Sequence, residues 1–361
     1  MITVVYANQI FKYGLSCFMA LAGFVVVSWT TVLAQPKTVL AKAVPGTTPV
    51  ISYSHAGRVE SLAISPDGNS LATESFRDGV RIVYLRNGKL QTFIKRVLGV
   101  SSLAFSHDGT ILGTGNSDGN VRLWDEHRGQ LLKTLPVGRW NVYAIAFSPD
   151  RNTVACGEGD GPAQVWDFKK AECLMTLGKE GERVNALAFS GDGKLLATLT
   201  SENRTYVWDA ATGRLVGTMK GRGLDSRGSV SFCPDQKTVN VANNGDVQFW
   251  NPLEKGEPKK VRIPDSIDAE KKLNRQLAPH DGPVFIGITV VSPDCNRAAT
   301  VQEDGSIAIW NITRREISQV LIGSGIPDFP GGGVEKIVFS PDSKFLVSGK
   351  RNGVVEVWDI K

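Results

Sequence analysis

Along most of this chain apolar residues alternate with small or polar ones at a period of two, in short runs broken by Gly, Asn, Asp and Pro. Val100-Ser-Ser-Leu-Ala-Phe105 is one such run. It is followed by Ser106-His-Asp-Gly109, Ile111-Leu-Gly-Thr114, Asn116-Ser-Asp-Gly119, Val121-Arg-Leu-Trp-Asp125 and Gln130-Leu-Leu-Lys-Thr-Leu135. A period of two sends alternate side chains to opposite faces of a strand, and the Gly- and Asp-bearing breaks read as hairpin turns. The stretch predicts a unit of four antiparallel strands in about 42 residues.

The unit recurs. Equivalent turns stand at Ser65-Pro-Asp-Gly68, Ser106-His-Asp-Gly109, Ser148-Pro-Asp-Arg151, Ser190-Gly-Asp-Gly193, Cys233-Pro-Asp-Gln236, Ser292-Pro-Asp-Cys295 and Ser340-Pro-Asp-Ser343, spaced by 41, 42, 42, 43, 59 and 48 residues. The third strand of six units ends in Trp124-Asp125, Trp166-Asp167, Trp208-Asp209, Trp250-Asn251, Trp310-Asn311 or Trp358-Asp359, with Val83-Tyr84 in the first unit. These dipeptides and turns resemble the WD-repeat (WD40) family over residues 49–361. The resemblance implies an all-β fold, a seven-bladed β-propeller of four-stranded antiparallel blades. Blades are expected near 55–93, 98–135, 140–177, 182–219, 227–262, 280–321 and 333–361. The last ends after its third strand, so Pro49-Val-Ile-Ser-Tyr53 is expected to complete it and close the ring, removing a bare sheet edge.

Length alone would divide 361 residues into two or three domains, but blades bury their faces only against neighbouring blades, so one domain is expected. A net charge of +5, with no polybasic run, gives no case for nucleic acid. Residues 1–34 differ in kind. They hold no acidic side chain, and an uncharged stretch from Gly14 to Ala34 ends in Val32-Leu-Ala34 before Gln35. That pattern fits a cleaved export signal. Its 21 residues would also serve as an uncleaved membrane anchor. A linker, 35–48, follows. Leu15-Ser-Cys17 precedes the apolar core, which rules out lipidation there. Cys156, Cys173, Cys233 and Cys295 fall in different blades without a Cys-x-x-Cys spacing, so neither a metal site nor a disulfide framework is expected; one cross-blade bridge in an oxidising compartment stays open.

Catalytic and cofactor motifs are missing: no Gly-x-Ser-x-Gly elbow, Walker loop, His-Glu-x-x-His or dinucleotide fingerprint occurs. No cofactor, metal or catalytic residue is expected, and His55, His107, His127 and His280 are spread over different units. The family resemblance implies a buried network of His, Ser or Thr, Asp and Trp within a blade. Unit six matches it in full with His280, Thr300, Asp304 and Trp310, and units two and three keep Asp118 with Trp124 and Asp160 with Trp166. Units four, five and seven put Glu202, Asn244 and Asn352 at the Asp place, and unit one has Arg77 there and Val83 for the Trp. The resemblance also implies a binding face built from loops between blades and turns between second and third strands. Those places hold Arg58, Phe76, Arg77, Arg139, Trp140, Tyr143, Arg183, Phe285, Glu303 and Arg351. A charged insert, 252–279, carries Ile267–Leu277 at helical apolar spacing, and a smaller one spans Gly323–Gly333. The expected function is a non-catalytic scaffold for a protein or peptide, exported or membrane-anchored. The alternative is an enzyme or small-ligand binder working at the mouth of the central channel.

Overall fold

Each Ser-Pro-Asp-Gly turn is a small hydrogen-bonded frame that starts a blade's second strand. The Asp carboxylate accepts the backbone N–H two residues on in the turns of Asp67, Asp108, Asp192, Asp294 and Asp342, and the preceding Ser hydroxyl donates to the same group. The Ser190 hydroxyl holds the Asp192 carboxyl below its usual range, and Ser340 does the same for Asp342. The fourth turn residue adopts positive φ: +71° at Gly68 and +75° at Gly109, but also 61° at Gln236, 57° at Cys295 and 59° at Ser343.

A computed structural model describes residues 48–360 apart from 77, 96, 98, 151, 222–227, 244–245, 255, 263–287, 303–304 and 324–332. The described residues form seven four-stranded antiparallel sheets. Blades 1 to 6 occupy 59–94, 100–136, 142–177, 184–220, 229–262 and 289–321, each with its strands in chain order. Strand Lys259–Arg262 is the outer strand of blade 5, so the charged stretch begins inside a blade. The rest of the expected insert, with its helical spacing, falls outside the described residues, as do 1–47. Blade 7 has the order Ile51–Ser54, Val354–Asp359, Phe345–Lys350, Val334–Phe339. Ile51 faces Val357 and Ser54 faces Val354, so the N-terminal strand closes the ring.

Burial follows strand position. The first strand of blade 1, Val59–Ile64, alternates buried and half-buried residues, the second strands Ser70–Ser75 and Leu195–Thr200 are buried throughout, and the outer strand Glu172–Leu177 is largely exposed. A second strand packed between neighbouring blades has no solvent face, which explains its small and apolar sequence. The core therefore lies in the seams. Seven apolar clusters correspond to the seven blade-to-blade contacts, from Val80, Ile82, Val100 and Leu112 between blades 1 and 2 to Leu71, Val83, Val347 and Val357 between blades 1 and 7. Each fully buried Leu or Val there stabilises the fold by about 2 kcal/mol.

Candidate functional site on the loop face

The tryptophans repeated from blade to blade are structural. Trp124, Trp208 and Trp310 donate their indole N–H to Thr114, Thr198 and Thr300 on the facing second strand, at 3.1, 3.2 and 2.9 Å. Further members of the expected networks differ from expectation. In blade 6, Gln302 Nε2 also donates to Thr300 at 2.8 Å, while His280 and Asp304 lie outside the described residues. In blade 2, Asn116 Nδ2 reaches Thr114 at 3.2 Å, and the Asp118 carboxylate turns outward to pair with Arg122. In blade 3, Cys156 occupies the hydroxyl place, so Trp166 donates to Gln164 Oε1 at 3.0 Å and Asp160 stays exposed at the turn.

Blade 1 needs the clearest correction. Arg77 lies outside the described residues, and the next residue, Asp78, makes the contacts expected of the network Asp. Its carboxylate accepts from Ala56 N at 2.8 Å and Arg81 Nη2 at 2.9 Å and lies 3.3 Å from His55 Nδ1. His55 Nε2 is 2.8 Å from Thr73 Oγ1, which also meets Tyr53 OH at 3.2 Å. Thus blade 1 keeps His, Thr and Asp, and Tyr53 from the closing strand stands in for the absent Trp. Burial, reinforced by the positive charge of Arg81, lowers the His55 pKa to about 4, so the ring is neutral at neutral pH.

Two groups of the expected binding residues come together on the loop face. The first surrounds Trp140, whose side chain is 58 % exposed. The backbone N–H groups of Arg139 and Trp140 both donate to Glu158 Oε1 at 2.6 Å. Glu158 is buried at the end of the second strand of blade 3. A Cβ on Gly138 would fall 2.1 Å from that carboxylate, so the loop can close over it only without a side chain there. The clamp holds Trp140 out to solvent. The Arg183 guanidinium lies 5.2 Å over the Tyr143 ring, a cation–π contact. Gly159 lies between Tyr143 and Trp140: a Cβ there would meet Tyr143 Cε2 at 3.0 Å and Trp140 Cβ at 3.5 Å.

The second group lines a cleft of about 640 Å³ between blades 7 and 1, with Ala56, Gly57, Arg58, Glu60, Phe76, Arg351 and Asn352 around it. Phe76 is 61 % exposed. Arg58 pairs with Glu60 at 2.6 Å, and Arg351 lies 3.8 Å from Glu335. Near them Glu74 is only 1 % exposed, and its Oε2 has no hydrogen-bond partner. Burial pushes its pKa up to about 8, helped by Glu60 and opposed by Arg58. Sequence patterning marks neither Glu74 nor Glu158: Glu74 takes a strand place that other blades fill with a small or apolar residue, and Glu158 one that they fill with a polar residue or, in blade 7, with Lys350; only acidity inside a strand run gave a signal. Arg77, Phe285 and Glu303 lie outside the described residues.

The family described as WD domain, G-beta repeat matches residues 89–125, 129–167, 171–209 and 326–359. Among curated proteins, the chain is similar to the COMPASS component SWD3 of Saccharomyces cerevisiae, 40 % identical over 82 residues, which is 23 % of this chain and 26 % of that protein. It is also similar to a WD repeat-containing protein 91 homolog of Dictyostelium discoideum, 31 % identical over 24 % of this chain and 12 % of that protein. The small ribosomal subunit protein RACK1y of Oryza sativa is 32 % identical over 23 % of this chain and 26 % of its own length. The matched stretches thus span about a quarter or less of these relatives. Repeated turns, seven four-stranded blades and these matches agree: the chain is a WD40-repeat β-propeller.

Proposed function

We propose that this propeller is a non-catalytic scaffold binding a protein or peptide through the loop face that carries Trp140. The observation behind this reading is the clamp on the Trp140 loop. Two backbone donors fixed on Glu158 hold a large aromatic surface in solvent beside the Tyr143–Arg183 pair. Trp, Tyr and Arg dominate the energetics of protein interfaces, and a prearranged side chain loses little entropy on binding. One relative is named as a COMPASS component and another as a small ribosomal subunit protein, which supports a scaffold among other proteins. The test is a crosslinked pull-down of full-length tagged protein from its native cells, wild type against Trp140→Ala/Arg183→Glu. A partner captured by wild type and lost with both substitutions supports the site. Equal capture by both places binding elsewhere and overturns it.

The same proposal places the propeller outside the cytosol, exported or held by residues 1–34. N-terminal sequencing of the protein from native cells distinguishes the two: a start at Gln35 means a cleaved signal, and an intact leader in the membrane fraction means an anchor.

A second reading, small-ligand binding at the channel mouth, draws on Glu74, a buried carboxyl kept protonated next to Glu60 and Arg58. A metabolite screen by thermal shift tests it. A ligand that raises the melting temperature of wild type and not of Glu74→Gln favours it.

A further inference from the structure

Cys233 and Cys295, 62 residues apart, are bonded to each other across the seam between blades 5 and 6, with Cα atoms 5.6 Å apart. Neither cysteine serves its own turn. Cys233 stands where six other turns have Ser, and it forfeits the hydroxyl that elsewhere donates to the turn Asp. Asp235 turns instead to the Thr238 hydroxyl. Cys295 sits at φ 57°, in the left-handed region, where blades 1, 2 and 4 carry Gly. Each is a poorer choice than the residue the repeat offers. What the two positions gain is each other.

Among the described residues, the seam they join has the smallest apolar cluster of the ring. Among the described residues its cluster holds six buried side chains, Ala242, Val247, Val291, Ala298, Ala308 and Trp310, three of them alanines; the seam between blades 6 and 7 holds twelve. The remaining cysteines of the propeller are free, Cys156 buried and Cys173 exposed.

We propose that Cys233–Cys295 is an inter-blade staple, installed after the chain leaves the reducing cytosol, that holds the sparsely packed seam between blades 5 and 6. Formation runs by thiol–disulfide exchange. One cysteine thiolate attacks the disulfide of a protein or small-molecule disulfide donor and expels one donor thiol. The second thiolate then displaces the other donor sulfur from the mixed disulfide. Two protons leave the cysteines, two electrons pass to the donor, and the donor departs as a dithiol. Such bonds persist in oxidising compartments and are reduced in the cytosol. This inference rests on the proposed export of the chain and is independent of where a partner binds.

The test begins with protein taken from native cells after free thiols are trapped with iodoacetamide, followed by peptide mapping without reduction. A Cys233–Cys295 linked peptide is expected, with Cys173 alkylated. The second measurement is melting of wild type with and without dithiothreitol, beside Cys233→Ser/Cys295→Gly. That double variant restores the turn residues of the other blades, so any loss reflects the bridge. Oxidised wild type should melt about 5–10 °C above both reduced wild type and the variant, as expected for closing so long a loop. Reduction should leave the variant unchanged. Alkylated Cys233 and Cys295 in native protein would overturn the proposal, and so would a linked peptide with no difference in melting.

Discussion

His55 Nε2 lies 2.8 Å from Thr73 Oγ1 and joins the segment leaving the last blade to the second strand of the first. The ring nitrogen is buried, and Tyr53 touches the same hydroxyl. Closure is thus made twice, by backbone pairing of Ile51–Ser54 with blade 7 and by side chains of the same segment reaching blade 1.

This relationship sets an acid limit. The His55 pKa is about 4 in the folded protein against an ordinary 6.5 when unfolded. As pH falls below 6.5 the unfolded chain takes up the proton first, so the stability present above pH 6.5 declines and is lost towards pH 4, by up to about 3 kcal/mol. His55→Ala leaves Thr73 and Asp78 without their partner and should cost about 2 kcal/mol at pH 7.5. Its melting temperature should also fall less steeply than that of wild type between pH 6.5 and 4.5. Parallel pH profiles would contradict the assignment.

Glu74 acts in the opposite direction. Its folded pKa of about 8 lies above the ordinary value of 4.5, so its contribution is fully present below pH 4.5 and is lost as pH rises through 8. Glu74→Gln keeps the neutral shape without the titration. Urea unfolding at pH 6 and pH 9 should show a decline of a few kcal/mol in wild type that the variant largely lacks.

Deleting 47–54 removes the outer strand of blade 7 together with Tyr53 and its contact to Thr73. It also takes Ile51 and Tyr53 from the apolar cluster of the seam between blades 7 and 1. The whole ring should lose stability, read as one cooperative transition shifted down in calorimetry. A truncated protein melting at the wild-type temperature would refute the closure.

Lys350 Nζ and Glu356 Oε2 form an ion pair at 2.7 Å inside blade 7, with side chains 1 % and 2 % exposed. Removing one partner strands the other charge in a low-dielectric interior. Lys350→Met should therefore cost about 3–5 kcal/mol, and Lys350→Met/Glu356→Leu should recover much of that loss. Denaturant unfolding of the two variants checks it: a double variant no more stable than the single would mean that the pair itself holds the blade. Gly323 lies against the pair, where a Cβ would come 2.2 Å from Glu356 Oε2, so Gly323→Ala should disturb it too.

The ring was legible because its determinants are local. A turn of four residues and a strand of six carry their own pattern, and Trp124 or Ser106 announces its place without reference to distant chain. What escaped depends on contacts between blades. Tyr53 serves Thr73 only after closure, and Asp78 was passed over for Arg77 because it stands one residue later than Asp118 does in a turn of the same length. Cys233 and Cys295 become neighbours only when blades 5 and 6 pack, and no spacing rule relates them. Of the binding residues, Arg58, Phe76 and Arg351 share a cleft, and Arg139, Trp140, Tyr143 and Arg183 share a clamped loop cluster. The acids Glu74 and Glu158 beside them gave only the faint signal of acidity within a strand, since strand patterning does not distinguish a buried carboxyl from a solvated one.

Pairing the strand that begins at Ile51 with the one that includes Val357 also sets a schedule. Synthesis at 5–20 residues per second separates those two residues by roughly 15 to 60 s. Throughout that interval the nascent product is an arc with a bare blade face at each end, and Val59, Leu71 and Val83 wait for a neighbour not yet made. A chain cut short anywhere before Val354–Asp359 keeps both faces open, however many blades it has finished. Completion is therefore all or nothing, and an unfinished copy displays its defect as exposed apolar surface that quality control can read.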